Sequence, residues 1–525
     1  QVKAFAAEQQ TAPGRTEFLG TGGSLYYLRH TDIVPGSQQV TLELRDQYSS
    51  RVVQSFELKA GRDYEIDAFQ GRIILSRSLL QITKDNNTAI QDQPLDGLNN
   101  ILVTQYEYYP QEFDANNFSA GLQAKQWLGD KIAVGATYAK ENRSGQDYEL
   151  AGADLTYQAG QGTWIKAETA QSKSTQAPQF FSTDGGLKFA EISQVNTLLE
   201  NKGSANSLEA RLNTQEMGLT EQPVKVAAWL RDRDPNFSSG HSTTSGRRQI
   251  DTGVEVVTQV TPEVQLLASA RKVESRQELK EGKQSEVLDK VTAAAVWQAS
   301  DSLTLTAELQ KIKVRTISTG VSASSSDKTI TTGTDANGVS EAGLIGIKAA
   351  KRLNDKWEVY AAAQASFAQS NYDPNNSVTI GSKYAIDEAS AVSLDYTEGD
   401  RGSALTASAE YKRTEDHSIY GSYTYSPSTT AIGSGLNDSL IASRTFNQSE
   451  GWTVGQRLQL AQRWKLNTET QSLEDDSIKG LVNSVGLEFA PQQNWAFGLS
   501  AQKGSLSNKT GNSTAIGGIN EASEQ

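Results

Sequence analysis

From Gly121 onward, about every thirty to forty residues, the chain repeats one pattern: two runs of alternating apolar and polar residues joined by a very short polar turn, with a tryptophan beside it. Successive side chains of a strand point to opposite faces, so each run faces two different environments. From Trp357 to Phe367, one face carries Trp357, Val359, Ala361, Ala363, Ala365 and Phe367, and the other Glu358, Tyr360, Ala362, Gln364 and Ser366. Lys131 to Tyr138, Ser302 to Gln310 and Trp495 to Gln502 read the same way. Runs of about eight to eleven residues suit a tilted strand crossing the hydrocarbon of a bilayer.

Ten short turns are expected at 128–130, 159–162, 217–222, 260–263, 299–302, 353–356, 386–389, 414–417, 461–464 and 491–494. Longer polar connections separate them, the largest at 171–204, 232–248, 316–341 and 426–451. Alternating short and long connections are how outer-membrane barrels arrange periplasmic turns and extracellular loops. Trp127, Trp164, Trp297, Trp357, Trp464 and Trp495 lie close to short turns and are expected to form an interface girdle. The fold expected is all-β: a large antiparallel transmembrane barrel of about 22 or more strands, preceded by a small β-sandwich-like domain.

Of 525 residues, none falls in an apolar run approaching the roughly eighteen needed for a membrane-crossing helix. A mean hydropathy of -0.52 is compatible with a barrel, because half of each strand and all its loops are polar. Cysteine is absent, which removes disulfides, thiolate metal sites and cysteine nucleophiles. The net charge of -13, with no basic patch, argues against nucleic acid as a partner.

Residues 1–16 read as a polar tail or linker, 17–98 as the small β domain, beneath the barrel or plugging it, and 99–525 as the barrel, its C-terminus truncated or unusually closed. Strands are expected at 24–29, 39–44, 52–58, 64–67 and 72–75, with Val40, Leu42, Leu44, Phe56 and Leu58 in the core. The run from Asn100 to Tyr109 is expected to rise as a barrel strand, placing the small domain at the periplasmic rim.

Catalytic candidates are thin. His30, His241 and His417 fall in three separate settings, and Asp232, Asp234 and His241 share only a polar outer loop. Gly20, Gly22 and Gly23 lack the Lys-Ser/Thr and the helix of a phosphate loop. Glu474, Asp475 and Asp476 lack the spacing of a calcium loop, and solvation explains them. No catalytic, cofactor or metal residue is assigned, and no enzyme activity is expected. Lys125, Lys131, Arg271, Glu308, Glu358 and Gln364 are expected to face the lumen, with neither sign dominant.

The stretches Gly20 to Asp46, Ala60 to Leu75, Val103 to Pro110, Gly152 to Ser172 and Ser182 to Phe189 resemble large outer-membrane surface proteins of Gram-negative bacteria. The element AGRDYEIDAFQGRIIL (Ala60 to Leu75) is also similar to segments of the giant translocon barrel of the type 9 secretion system. The likeness covers about the first 190 residues and implies an outer-membrane location. The resulting expectation is a transport or export channel gated by its N-terminal domain or a partner. A surface anchor or adhesin scaffold displaying long loops is the alternative. Expected partners are outer-membrane lipid and lipopolysaccharide, with a periplasmic or plug protein.

Overall fold

In the computed structural model the alternating runs form one sheet of 22 strands, neighbour to neighbour antiparallel. The structure describes all residues except 1, 9–10, 49, 85–87, 110–117, 143–147, 175–178, 187–188, 193–200, 240–241, 244–247, 280–281, 320–337, 415–416, 428–448, 476–477, 493–494, 509–520 and 525. The sheet runs from Val2–Glu8 to Phe118–Leu128, then through consecutive neighbours to Trp495–Asn508 and Glu521–Glu524. The strands on either side of all ten expected short turns pair with each other, residues 415–416 and 493–494 of two of these turns lying outside the described residues. Five have a register shift beside them, at Gln259/Thr261, Gln298/Ser300, Lys412/Thr414, Gln459/Ala461 and Phe489/Gln492. Such bulges sharpen twist where strands turn back at a rim.

Alternation holds strand by strand. On Leu303–Thr319, Leu309 is half exposed on the outer face, while Thr306, Glu308 and Gln310 are buried on the inner one. Ile132, Leu155, Ile347, Val378, Val454 and Leu499 continue the outer apolar face around the sheet. A continuous aliphatic surface of this extent finds its match in hydrocarbon, not water.

Inside the barrel lies a seven-stranded sheet built on Ala12–Leu19, Gln39–Arg45, Val52–Leu58 and Leu98–Tyr108, with a three-stranded sheet of Leu25–Tyr27, Arg72–Leu75 and Tyr64–Asp67. Phe18, Tyr26, Val40, Ile73 and Leu102 are fully buried between them and form the apolar core. Of the expected core, Val40 and Leu44 are buried, Leu42 and Leu58 pack at its edge, and Phe56 is exposed.

Three expectations change. Residues 2–8, expected as tail, form a barrel strand paired to Phe118–Leu128, with Val2 opposite Ala124 and Glu8 opposite Phe118. The run at Asn100 to Tyr109 is not a barrel strand: as Leu98–Tyr108 it lies between Ala12–Leu19 and Gln39–Arg45 in the inner sheet. The inner unit therefore does not precede the barrel but is inserted between its first two strands. Both crossings occur at the long-loop rim, where Glu8 and Phe118 pair, and not at the short-turn rim. The loop after Trp164–Ser174 also contributes: Gln179–Ser182 pairs parallel with Ala12–Leu19.

Candidate functional site

The inner sheets are fastened to the barrel wall by two clasps. The first uses the glycine-rich turn at 20–23. A Cβ on Gly22, whose φ is +80°, would lie 1.9 Å from Ser422 Oγ, and one on Gly23 would lie 2.7 Å from the Glu469 carboxylate. Only glycine lets the backbone approach the wall this closely. Backbone groups then meet inward barrel side chains. Ser24 N donates to Glu469 Oε2 (2.8 Å), Ser422 Oγ to Gly22 O (3.0 Å) and Thr453 Oγ1 to Thr21 O (3.0 Å). Ser24 Oγ lies 2.6 Å from Tyr420 OH, which itself donates to Glu469. The glycines serve close approach, with no phosphate-loop geometry.

The second clasp is the segment 88–97. Ala89 N and Ile90 N donate to Glu308 Oε2 (2.7 and 3.1 Å), and Gln91 exchanges two hydrogen bonds with Gln364 (2.7 and 2.9 Å). Asp92 accepts from Lys290 Nζ (2.7 Å), Gln310 Nε2 (2.7 Å) and Tyr48 OH (2.8 Å), while Arg401 donates to its carbonyl (2.6 Å). Ile90 and Tyr48 pack here against Val273, Leu288, Ile312 and Leu344. Burial opposes the Asp92 charge, but Lys290 and its other donors overcome this and hold the carboxyl below the usual range. Burial together with the Asp92 charge pushes Asp96 up to about 7.

Further ties run from Arg271 to Asp46 (2.8 Å), Arg457 to Leu75 O (3.0 Å), Lys465 to Glu65 (3.4 Å) and Ser500 to Gln70 (2.5 Å). Every one of these wall residues belongs to the sector from Arg248–Thr261 onward. The opposite sector, Phe118–Leu128 to Asn201–Asn213, differs, and Trp229 on Val224–Arg233, 4.7 Å beneath Arg51 of the inner domain, marks its boundary. Its inward charges pair along the wall: Lys125 with Asp154 (3.5 Å), Lys166 with Glu168 (2.6 Å) and Arg231 with Glu209. The side chains of Lys125, Lys166 and Glu168 are 41%, 37% and 47% exposed, against 27% and 2% for Lys290 and Asp92. The lumen is thus two-sided, docked along one wall and hydrated along the other.

At the long-loop end of the inner sheet, His30 stacks on Tyr108 with ring centroids 3.8 Å apart, and its Nδ1 lies 2.9 Å from Tyr106 OH. Arg29 lies over the ring of Phe180, which the folded-in loop supplies. Burial, reinforced by Arg29, lowers His30 to about 4. Beneath, burial disfavours the Glu17 carboxylate, yet Arg45 and Arg15 outweigh it and hold the pKa at about 2.

Of the residues expected to face the lumen, Arg271, Glu308 and Gln364 meet the inner domain, Lys125 lines the hydrated wall, and Lys131 and Glu358 are exposed near the short turns. Of the expected girdle, Trp297, Trp357 and Trp464 share the outer face with Val291, Val359 and Leu466, Trp464 stacking on Phe489. Trp127 and Trp164 turn inward: Trp127 pairs with buried Ala133, opposite in face to Ile132, and Trp164 lies beneath Arg211, opposite in face to Ile165. Directly paired residues share a face, so proximity to a turn fixes their height but not their side. Trp495 opens its strand beside the last short turn.

Among the catalytic candidates, Asp232 binds Arg248 and Asp234 binds Ser204, both as loop braces. His241 and Asp476 lie outside the described residues. Among the described residues no group of three or more His, Asp or Glu side chains could hold a metal. Sequence reasoning missed the clasp at 88–97, which carries no motif, and Lys290, Tyr420 and Glu469, which only their inward parity could have marked.

No family model matches the chain. No curated protein matches it. Similar solved structures include the FrpB iron transporter of Neisseria meningitidis in its apoprotein form, at 9% identity and TM-score 0.41, covering 93% of this chain and 95% of that one. A copper transporter, OprC, has 11% identity and TM-score 0.43, over 87% and 86%. The unliganded ferric citrate transporter FecA has 10% identity and TM-score 0.37, over 74% and 70%. These likenesses are distant, and the barrel rests on its own register. The resemblance to surface proteins and to the type 9 translocon stays with the residues quoted for it.

Proposed function

We propose that this protein is an outer-membrane transport barrel in which the inner domain gates passage of hydrophilic solutes along the wall formed by Phe118–Leu128 to Asn201–Asn213. The observation that carries this reading is the two-sided lumen. Buried charge pairs and hydrogen bonds fix the inner domain to one wall, while solvated ion pairs line the other. A purely structural plug gains nothing from leaving charged side chains solvated along a single wall. The outer apolar face and the tryptophans Trp297, Trp357 and Trp464 support a bilayer setting, and the long loops then face the cell exterior. The cluster of Arg29, His30, Tyr108 and Phe180 lies at that outer end and offers a cationic and aromatic surface to an arriving solute. Export and a periplasmic partner belong to the same reading, with the direction of transport set by what moves the gate.

The test is conductance in planar bilayers, with the intact chain compared with Lys290→Met and Glu308→Ala. Release of the second clasp should raise conductance or admit larger solutes. A channel silent in all three forms would favour a surface anchor displaying its loops.

A further inference from the structure

On the outer face the strands Gly282–Ser300, Leu303–Thr319, Val339–Arg352 and Trp357–Ser370 form a cleft of about 360 Å³, with Val264–Leu279 as the next strand beside it. Its outer walls are Val291, Ala293, Leu309 and Phe367, with Gly343 between them. The cleft is built into the wall: register shifts between Glu341 and Gly343, Ala368 has φ +48°, and a Cβ on Gly343 would lie 2.5 Å from the Phe367 ring.

Charge changes abruptly at its upper end. Ala270, Val291, Lys311, Gly343 and Phe367 share one cross-strand row, and Lys272, Asp289, Lys313 and Glu341 share the row nearer the long loops. Lys313 pairs with Glu341 (3.3 Å) and Arg315 with Asp289 (2.8 Å), which uses both carboxylates. Among the described residues Lys311 and Lys272 form no salt bridge, and Glu274, which shares the Lys272 face and feels its charge, is bridged to Arg276. Lys311 is exposed one row inside the apolar belt, above the cleft. Two strand spacings and one side-chain repeat place the two lysines roughly 10–12 Å apart at their backbones.

We infer that this cleft binds lipid A, one acyl chain lying along Val291, Leu309 and Phe367 and its phosphates meeting Lys311 and Lys272. An apolar cleft capped by cations is complementary to an acylated phosphate, and a separated pair of cations fits a diphosphorylated headgroup better than a single phosphodiester. The choice of lipid A rests on the orientation proposed above, in which the long loops emerge from the outer leaflet.

The test uses the full chain in phosphatidylcholine nanodiscs doped with lipid A or phosphatidylglycerol, with retained lipid counted by native mass spectrometry. Wild type should retain lipid A in preference to phosphatidylglycerol. Lys311→Gln should weaken retention by about fivefold, and Ala293→Phe, which fills the cleft without touching charge, should abolish it. Leu481→Phe on a distant part of the outer face is the folding control and should retain lipid A. Orientation is read separately, by labelling Ser370→Cys with an impermeant maleimide in intact cells. An unlabelled Ser370→Cys overturns the orientation and with it the choice of lipid A. Labelling combined with equal retention by wild type, Lys311→Gln and Ala293→Phe overturns the cleft itself.

Discussion

Lys290 of the barrel wall places its Nζ 2.7 Å from the buried carboxylate of Asp92 on the inner domain, an ion pair that fastens the two units together beside those of Arg271 with Asp46 and Lys465 with Glu65. Removing one partner of a buried pair strands the other charge, at a cost of about 3–5 kcal/mol. Lys290→Met should therefore raise amide exchange across 88–97 well above that of the core strand Leu98–Tyr108. Adding Asp92→Asn should recover part of the loss, since the stranded charge is gone. Unchanged exchange in Lys290→Met would show that the neighbouring Glu308 and Gln364 bonds suffice.

Protonation sets the pH dependence of the same segment. Asp96 accepts from Asp92 N (2.7 Å) and Gly97 N (2.8 Å), with its pKa raised to about 7 from an ordinary 3.8. Between these values the folded state binds more protons than the unfolded one, so this group's contribution to stability falls as pH rises from about 4 to about 7. Asp96→Asn should remove that decline and leave stability rising with pH over that window. Glu17, lowered from 4.5 to about 2, and His30, lowered from 6.5 to about 4, act with the opposite sign, and their contributions are lost on acidification through those ranges. A melting profile in which Asp96→Asn parallels wild type from pH 4 to 7 would contradict the assignment.

The barrel strands were legible because a two-faced strand must alternate, and the ten turns punctuate that alternation. Period two does not say which sheet a strand joins. Leu98–Tyr108 alternates like its barrel neighbours, yet the fully buried Ile101 and Leu102 face an inner layer on both sides. Val2–Glu8 was hidden by its brevity and its three alanines, and only its register against Phe118–Leu128 identifies it. For the site, inward parity was readable at Arg271, Glu308 and Gln364. Which inward residues would be docked and which hydrated was not, because that depends on where the inserted domain leans.

The two faces of the wall predict opposite mutational behaviour. Leu309 is 52% exposed on the outer side, one row below Lys311, and Leu309→Arg should cost about 1–2 kcal/mol of folding stability in lipid, between the interfacial and midplane values. Lys166 belongs to an exposed pair, which contributes about 0–1 kcal/mol, so Lys166→Glu should leave stability nearly intact while shifting the channel toward cations. Urea unfolding in vesicles and reversal potentials under a salt gradient separate the two. A stability loss in Lys166→Glu equal to that in Leu309→Arg would place both on one face.

Gly23 gives the sharpest test of the first clasp. Its backbone conformation does not demand glycine, but a Cβ there would lie 2.7 Å from both oxygens of Glu469, a carboxylate already held by Ser24 N and Tyr420 OH. Gly23→Ala must therefore displace either the turn or the carboxylate, with overpacking expected to cost about 1–3 kcal/mol. Glu469→Ser shortens the opposing side chain and removes the same clash, at the expense of the hydrogen bond to Ser24. The two changes should be strongly non-additive, the double variant being less destabilised than the sum of the singles. Amide exchange at Ser24 and Leu25 reads the docking directly. Additive losses would mean that Gly23 matters for the chain entropy of the turn and not for its contact with the wall.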